Sequence, residues 1–140
     1  MNKLTVDELQ KIIKPGAAGT LTMTKDGQFL LTKRTSKAHY LPGHWSVPSG
    51  EVNVNEMESM ENCARREFYE ETTHRIPDDV KLPLIDRWFT DNRMYYLFLY
   101  VVPKKFFVKI DWEHEDVNWF TKSKLPTPIA PQILDAIQRI

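Results

Sequence analysis

The chain has 140 residues with 19 basic and 19 acidic side chains, so it lacks the one-signed field that draws nucleic acid or a membrane surface. Its length and 41% hydrophobic content suit one domain, residues 1–140, with a real core. A single cysteine excludes an internal disulfide, no apolar run reaches the length of a membrane span, and the opening Met1 to Thr5 has no signal-peptide hydrophobic region, so the expectation is a cytoplasmic protein.

Thr5-Val6-Asp7-Glu8 reads as a capping box that opens a short helix with Leu4, Leu9, Ile12 and Ile13 apolar. Pro15-Gly16 ends it. Ala17 to Thr24 and Phe29 to Thr35 read as a strand pair joined by Lys25-Asp26-Gly27-Gln28. Lys33 and Arg34 are adjacent on a strand and so point to opposite faces. One of them, with Arg34 taken as the candidate, is placed to meet an anionic ligand. Residues 36–43 form a loop, and loops carry recognition, so Lys37, His39 and Tyr40 are candidates for ligand contact. His44 to Val47 is a short strand, with Trp45 assigned to the core.

Beyond the central segment, Leu82 to Thr90 and Met94 to Pro103 read as strands around Asp91-Asn92-Arg93. This hairpin carries Trp88, Phe89, Tyr95, Tyr96, Phe98 and Tyr100. Alternation sends half of these inward and leaves half to stack on a ligand or to form a homodimer interface. Lys104 to Ile110 is expected to be a strand over a basic edge. An acidic loop, Asp111 to Asp116, precedes a strand at 117–121, and Pro131 opens a C-terminal amphipathic helix through Ile133, Leu134, Ile137 and Ile140. Two helical layers around a mixed sheet follow from this order.

The central segment is PSGEVNVNEMESMENCARREFYEETTH, residues 48–74. On a helix, Glu67, Glu70 and Glu71 stand at i, i+3 and i+4, so three carboxylates share one face and repel one another. A hard divalent cation reverses that cost, because Mg²⁺ and Mn²⁺ prefer oxygen ligands. The alternative is an ordinary solvated acidic face. Met57, Ala64 and Phe68 form the core-facing stripe. Cys63 lies near the acidic face and, with no paired histidine, reads as a small packing residue.

These residues resemble the box of the Nudix hydrolases, G-x5-E-x7-R-E-U-x-E-E-x-G-U, where U is a bulky aliphatic. Gly50 matches the first glycine, and Glu58, Arg66, Glu67, Glu70 and Glu71 match in order, with Phe68 at U. Trp45, Val47 and Pro48 resemble the usual lead-in. The chain departs from the pattern in four places. Seven residues separate Gly50 from Glu58, Ser49 replaces a lead-in glycine, Thr73 replaces the second glycine, and His74 replaces an aliphatic. A β-branched residue is disfavoured in the left-handed conformation that the glycine normally takes, so a differently shaped helix exit is expected.

The resemblance implies an α/β/α sandwich and hydrolysis of a nucleoside diphosphate linked to another moiety. It implies Mg²⁺ or Mn²⁺ held by Glu67, Glu70 and Glu71, with Ser49 a further candidate beside them. Glu70, Glu58 and Arg66 are the catalytic candidates within the box, with Arg66 expected to orient Glu58 or the loop. Many members supply a further Glu after the box as metal ligand or general base, which makes Glu113 and Glu115 candidates and His114 the runner-up. Arg34, Lys37 and Tyr40 are the substrate-binding candidates. The implied partner is a small nucleotide derivative such as a dNTP, ADP-ribose, a nucleotide sugar or a dinucleoside polyphosphate. Two other readings are a binding module that senses a nucleotide without turnover and an interaction domain that uses the aromatic hairpin.

Overall fold

The computed structural model describes residues 3–140; Met1 and Asn2, which open the N-terminal stretch discussed above, lie outside them. In chain order the elements are α1 (Val6–Ile12), β1 (Ala17–Thr24), β2 (Gln28–Arg34), β3 (Trp45–Ser46), β4 (Ser49–Glu51), α2 (Met60–Thr72), β5 (Leu84–Thr90), β6 (Arg93–Val102), β7 (His114–Thr121) and α3 (Pro131–Gln138). Short 3₁₀ turns at Val54–Glu56 and Lys122–Lys124 complete the set.

All seven strands join one mixed sheet around β1. On one edge β1 runs parallel to β6, with Ala17 opposite Tyr95 and Thr24 opposite Val102. On the other it pairs antiparallel with β2 near Thr22 and with β4 near Ala18. β2 pairs with β3 and β7, and β5 closes the far edge against β6. The β5–β6 turn is Asp91-Asn92, both at positive φ (52° and 59°), which these two residue types tolerate and a tight hairpin requires.

β1 is buried on both faces, because each face carries a helix. One face packs Ala18, Phe98 and Tyr100 against Cys63, Ala64 and Phe68 of α2. The other packs Leu21, Leu31 and Leu97 against Ile133, Ala136 and Ile137 of α3. Phe68 is fully buried, and such a side chain contributes about 1.5–3 kcal/mol through removal from water. This is the expected α/β/α sandwich. Among the described residues, no helix is long and apolar enough to cross a membrane.

Four expectations are corrected. Met57 does not belong to the core-facing stripe of α2: the helix starts at Met60, and Met57 caps the preceding 3₁₀ turn at φ 53° and is 91% exposed. The two extra residues after Gly50 are absorbed in this turn. No strand forms at 104–110, where an irregular segment drops Phe106 and Val108 onto the α2 side of the core. β7 begins at His114, so half of the expected acidic loop is strand.

The helix exit also keeps its usual shape. Thr73 takes the left-handed conformation, φ 61° and ψ 5°, and its N–H donates to Tyr69 O at 2.8 Å, the cap a glycine makes. Thr73 Oγ1 donates to Thr72 O, while Thr72 Oγ1 donates to Phe68 O and accepts from His74 N. These bonds offset part of the conformational cost. His74 fills the aliphatic position as a flat apolar ring, stacked 3.8 Å from Phe106 with Nε2 2.9 Å from Tyr100 Oη.

Candidate active site

Ser59 caps α2 by accepting from Asn62 N at 3.1 Å, which fixes where the helix starts and so which residues share a face. Glu67, Glu70 and Glu71 lie along that face in three different environments. Glu70 is exposed. Glu67 is largely covered, and burial, followed by the charge of Glu70, raises its pKa. Glu71 is 2% exposed. Burial, then the charges of Glu67, Glu113 and Asp111, raise its pKa well above the ordinary carboxylate value.

Arg66 binds much of the cluster together. Its Nε and Nη2 donate to the two oxygens of Glu58 at 2.8 and 3.0 Å, a two-pronged pair, and Nη2 also donates to Glu51 O at 3.0 Å. Its Nη1 donates to Glu67 at 2.8 Å and to both oxygens of Glu70 at 3.2 Å. Glu58 accepts in addition from Asn53 N at 3.1 Å, which anchors the longer loop. The Arg66 guanidinium holds the Glu58 carboxyl below its ordinary pKa. Cys63 is fully buried and its thiol is pushed up to about 12, chiefly by burial, so it packs and does not attack.

β4 passes directly over Glu67. A Cβ at Gly50 would overlap the Glu67 carboxylate, so any side chain at this position would displace the carboxylate from where it lies. On the other side, His114 of β7 lies over Glu71, its Nε2 3.5 Å from Glu71 Oε1 and its Nδ1 donating to Asp111 Oδ1 at 3.0 Å. Burial lowers the His114 pKa. The second oxygen of Glu71, Oε2, is buried with no hydrogen-bond partner among the described residues. A buried carboxylate oxygen without a partner is costly unless something else binds it.

The two candidates after the box part company. Glu113 is exposed, lines a cleft of about 580 Å³ and lies close enough to Glu71 to raise its pKa. Glu115 points elsewhere and pairs with Lys33 Nζ at 3.2 Å, so it is not brought to the cleft. The same split separates Lys33 from Arg34, which does line the cleft. The cleft wall also includes Lys37, His39, Tyr40, Ser49 and Gly50. Arg34 Nε donates to Tyr40 O at 2.8 Å and holds the 36–43 loop in place.

Three cleft residues carried no signal in the spacing of the box. Arg93 pairs with Glu51 at 2.8 Å beneath the loop. Trp112, next to Glu113, lines the cleft and is 83% exposed. Tyr95 stacks between Tyr40 and Trp88, with ring centroids at 6.3 and 5.8 Å. A mostly apolar pocket of about 50 Å³ continues from this stack toward α3 and shares Arg34, Tyr40, Ser49 and Tyr95 with the cleft. Of these three, Tyr95 had a hint in the sequence, as a member of the aromatic hairpin expected to send half its rings to a ligand or an interface.

The donor set fits a hard divalent cation. It offers carboxylate oxygens, one buried and unpartnered, and no thiolate, since Cys63 keeps its proton. Among the described residues, no three acidic, histidine or cysteine side chains already converge on one point. Arg66 lies against Glu67 and Glu70 instead.

The profile of the NUDIX domain matches residues 14–140. No curated protein matches the sequence. Among solved structures, a MutT NUDIX hydrolase from Burkholderia pseudomallei superposes with a TM-score of 0.71 at 23% identity, covering 91% of this chain and 98% of that one. The NUDIX domain of Shewanella oneidensis NrtR, complexed with ADP ribose, gives 0.71 at 18% identity over 97% and 96%. A C. elegans Ap4A hydrolase gives 0.57 at 24% identity over 88% and 93%. At these identities the structural likenesses establish the fold.

Proposed function

Because this chain belongs to the Nudix family of hydrolases, which cleave phosphoric anhydride bonds, we propose that it is a divalent-cation-dependent pyrophosphohydrolase of a nucleoside diphosphate linked to another moiety. The observation that carries the reading is the unpartnered buried oxygen of Glu71, set beside Glu67 in its Gly50 cradle. Glu67, Glu70 and Glu71 would hold the cation, Mg²⁺ or Mn²⁺. When bound, it neutralises phosphate oxygens and lowers the pKa of the attacking water.

The remaining work falls to this chain's own side chains. Arg34 and Lys37 line the cleft and attract the polyanionic substrate. Tyr40 and Trp112 present planar faces on which a base can stack, and Tyr95 backs Tyr40 from within the stack. Glu113 is exposed beside Glu71 and takes the proton from the attacking water. Arg66 holds Glu58 and Glu67 in register, a positioning role.

The test is a panel of dNTPs, ADP-ribose, nucleotide sugars and dinucleoside polyphosphates, incubated with Mg²⁺ or with EDTA and resolved by chromatography. Turnover of one class in Mg²⁺ and none in EDTA supports the reading and names the substrate. No turnover of any member with Mg²⁺ or Mn²⁺ overturns it.

A further inference from the structure

We propose that Arg93 is a substrate-binding residue that grips the phosphate joining the ribose of the substrate to the anhydride; the inference rests on the nucleotide-hydrolase reading above. Arg93 opens β6, and its side chain is 14% exposed, with Nη1 donating to Glu51 Oε2 at 2.8 Å. Among the described residues this is its one hydrogen bond, although a guanidinium carries five N–H donors. Its Nε is buried and unpartnered among them. A charge so covered, with one carboxylate and an orphaned donor, is costly for the fold alone. Arg93 also lines the cleft, and the unspent N–H groups of Nη1 and Nη2 are left to a ligand there. A fixed cation with free donors suits a polyanion.

Strand register indicates which part of the substrate it meets. Arg93 stands opposite Thr90 across the hairpin, and Thr90 Oγ1 lies 3.2 Å from Tyr40 Oη. Two residues along the same face of β6, Tyr95 backs the Tyr40 ring with centroids 6.3 Å apart. In the other direction Arg93 holds Glu51, the residue after the Gly50 cradle of Glu67. Ala17 of β1 lies between, opposite both Glu51 and Tyr95. The arginine therefore bridges the aromatic platform and the turn over the acidic face. In a nucleotide with its base on the platform and its anhydride at the acidic face, the group between them is the ribose with its 5′-phosphate. A guanidinium fork matches phosphate oxygens in charge and in shape. The neighbouring Asp91 does not cancel this charge, because it pairs with Lys14 Nζ at 3.1 Å.

The experiment measures binding to the full chain in EDTA, by titration calorimetry, of AMP, GMP, CMP and UMP and of the four matching nucleosides. Wild type is compared with Arg93→Gln, Arg93→Lys and Glu51→Gln, and the melting temperature of each is recorded. Wild type is expected to bind at least one monophosphate about tenfold or more tighter than its nucleoside. Arg93→Gln should lose about 10–100-fold for that monophosphate and less than about twofold for the nucleoside. Arg93→Lys keeps a charge beside Glu51 but not the fork, and it should lose about 3–10-fold for the monophosphate alone; it carries the test if the glutamine variant does not fold. Glu51→Gln removes the structural partner and keeps the arginine, so its preference for the monophosphate should stay within about threefold of wild type. Equal losses for nucleoside and monophosphate, the same loss in Glu51→Gln, or no wild-type preference for any monophosphate overturns the inference and leaves Arg93 a brace for Glu51. Binding in EDTA is read apart from turnover. A chain that shows the expected pattern yet hydrolyses no panel member with Mg²⁺ or Mn²⁺ overturns the proposed activity and supports the role of Arg93.

Discussion

Gly50 and Glu67 fit together only because residue 50 has no side chain: a Cβ there would overlap the Glu67 carboxylate. The backbone of Gly50 is ordinary β4 strand, paired across β1 with Ala18, so an alanine is conformationally tolerated. Its effect is local displacement of Glu67. Gly50→Ala is therefore expected to lower kcat by about a hundredfold, comparable to removing one electrostatic stabiliser, with only a small change in melting temperature. Activity within twofold of wild type in steady-state assays would show that the position of Glu67 is immaterial.

Thr73 sits where a glycine costs least. Its φ of 61° is disfavoured for a β-branched residue, and the compensating Oγ1 bond to Thr72 O is local. Thr73→Gly is expected to stabilise the fold by roughly 0.5–1 kcal/mol, after the loss of that bond and the greater freedom of the unfolded chain. The readout is a melting temperature higher by about 1–4 °C. A lower melting temperature would mean that the threonine bonds outweigh the strain.

Glu71 makes stability depend on pH with a definite sign. Burial and its acidic neighbours raise its folded pKa well above the ordinary 4.5. Between that value and the folded one, the folded state keeps a proton that the unfolded state has lost. Stability from this group is full below the unfolded pKa and is lost as pH rises through the folded pKa. In metal-free buffer, the melting temperature of wild type minus that of Glu71→Gln should fall as pH rises from about 4.5 to about 8. A cation bound to Glu71 should reverse the fall. A flat difference across this range contradicts the assigned environment.

Arg66 tests shape against charge. Lysine keeps the positive charge but loses the fork that grips both oxygens of Glu58 while reaching Glu67 and Glu70. The groups are partly covered, so Arg66→Lys should cost roughly 1–3 kcal/mol in urea unfolding and at least about tenfold in kcat. Wild-type stability and turnover in the lysine variant would reduce Arg66 to a charge.

The acidic face was readable in the sequence because a helix of 3.6 residues per turn forces Glu67, Glu70 and Glu71 together whatever surrounds it. β1 and the Asp91-Asn92 turn were readable for the same reason: alternation and turn chemistry are local. Distinctions that depend on tertiary contacts were not. Nothing local tells Glu113 from Glu115; the register of β7 on β2 does, by giving Glu115 to Lys33. Met57 looked apolar and periodic, yet the Ser59 cap begins the helix after it. Thr73 keeps the left-handed exit because its neighbours supply bonds that a residue-by-residue propensity omits. Phe106 enters the core from an irregular segment, where no periodicity announces it.

The central claim is that the acidic face of α2 holds the cation on which hydrolysis depends. The most direct measurement is kcat on the best panel substrate at saturating Mg²⁺ for wild type, Glu67→Gln, Glu70→Gln and Glu71→Gln, each also assayed in EDTA. The account predicts no wild-type turnover in EDTA and a loss of about a hundredfold or more in each glutamine variant. Wild-type turnover that survives EDTA, or glutamine variants that keep near-full kcat, would contradict it.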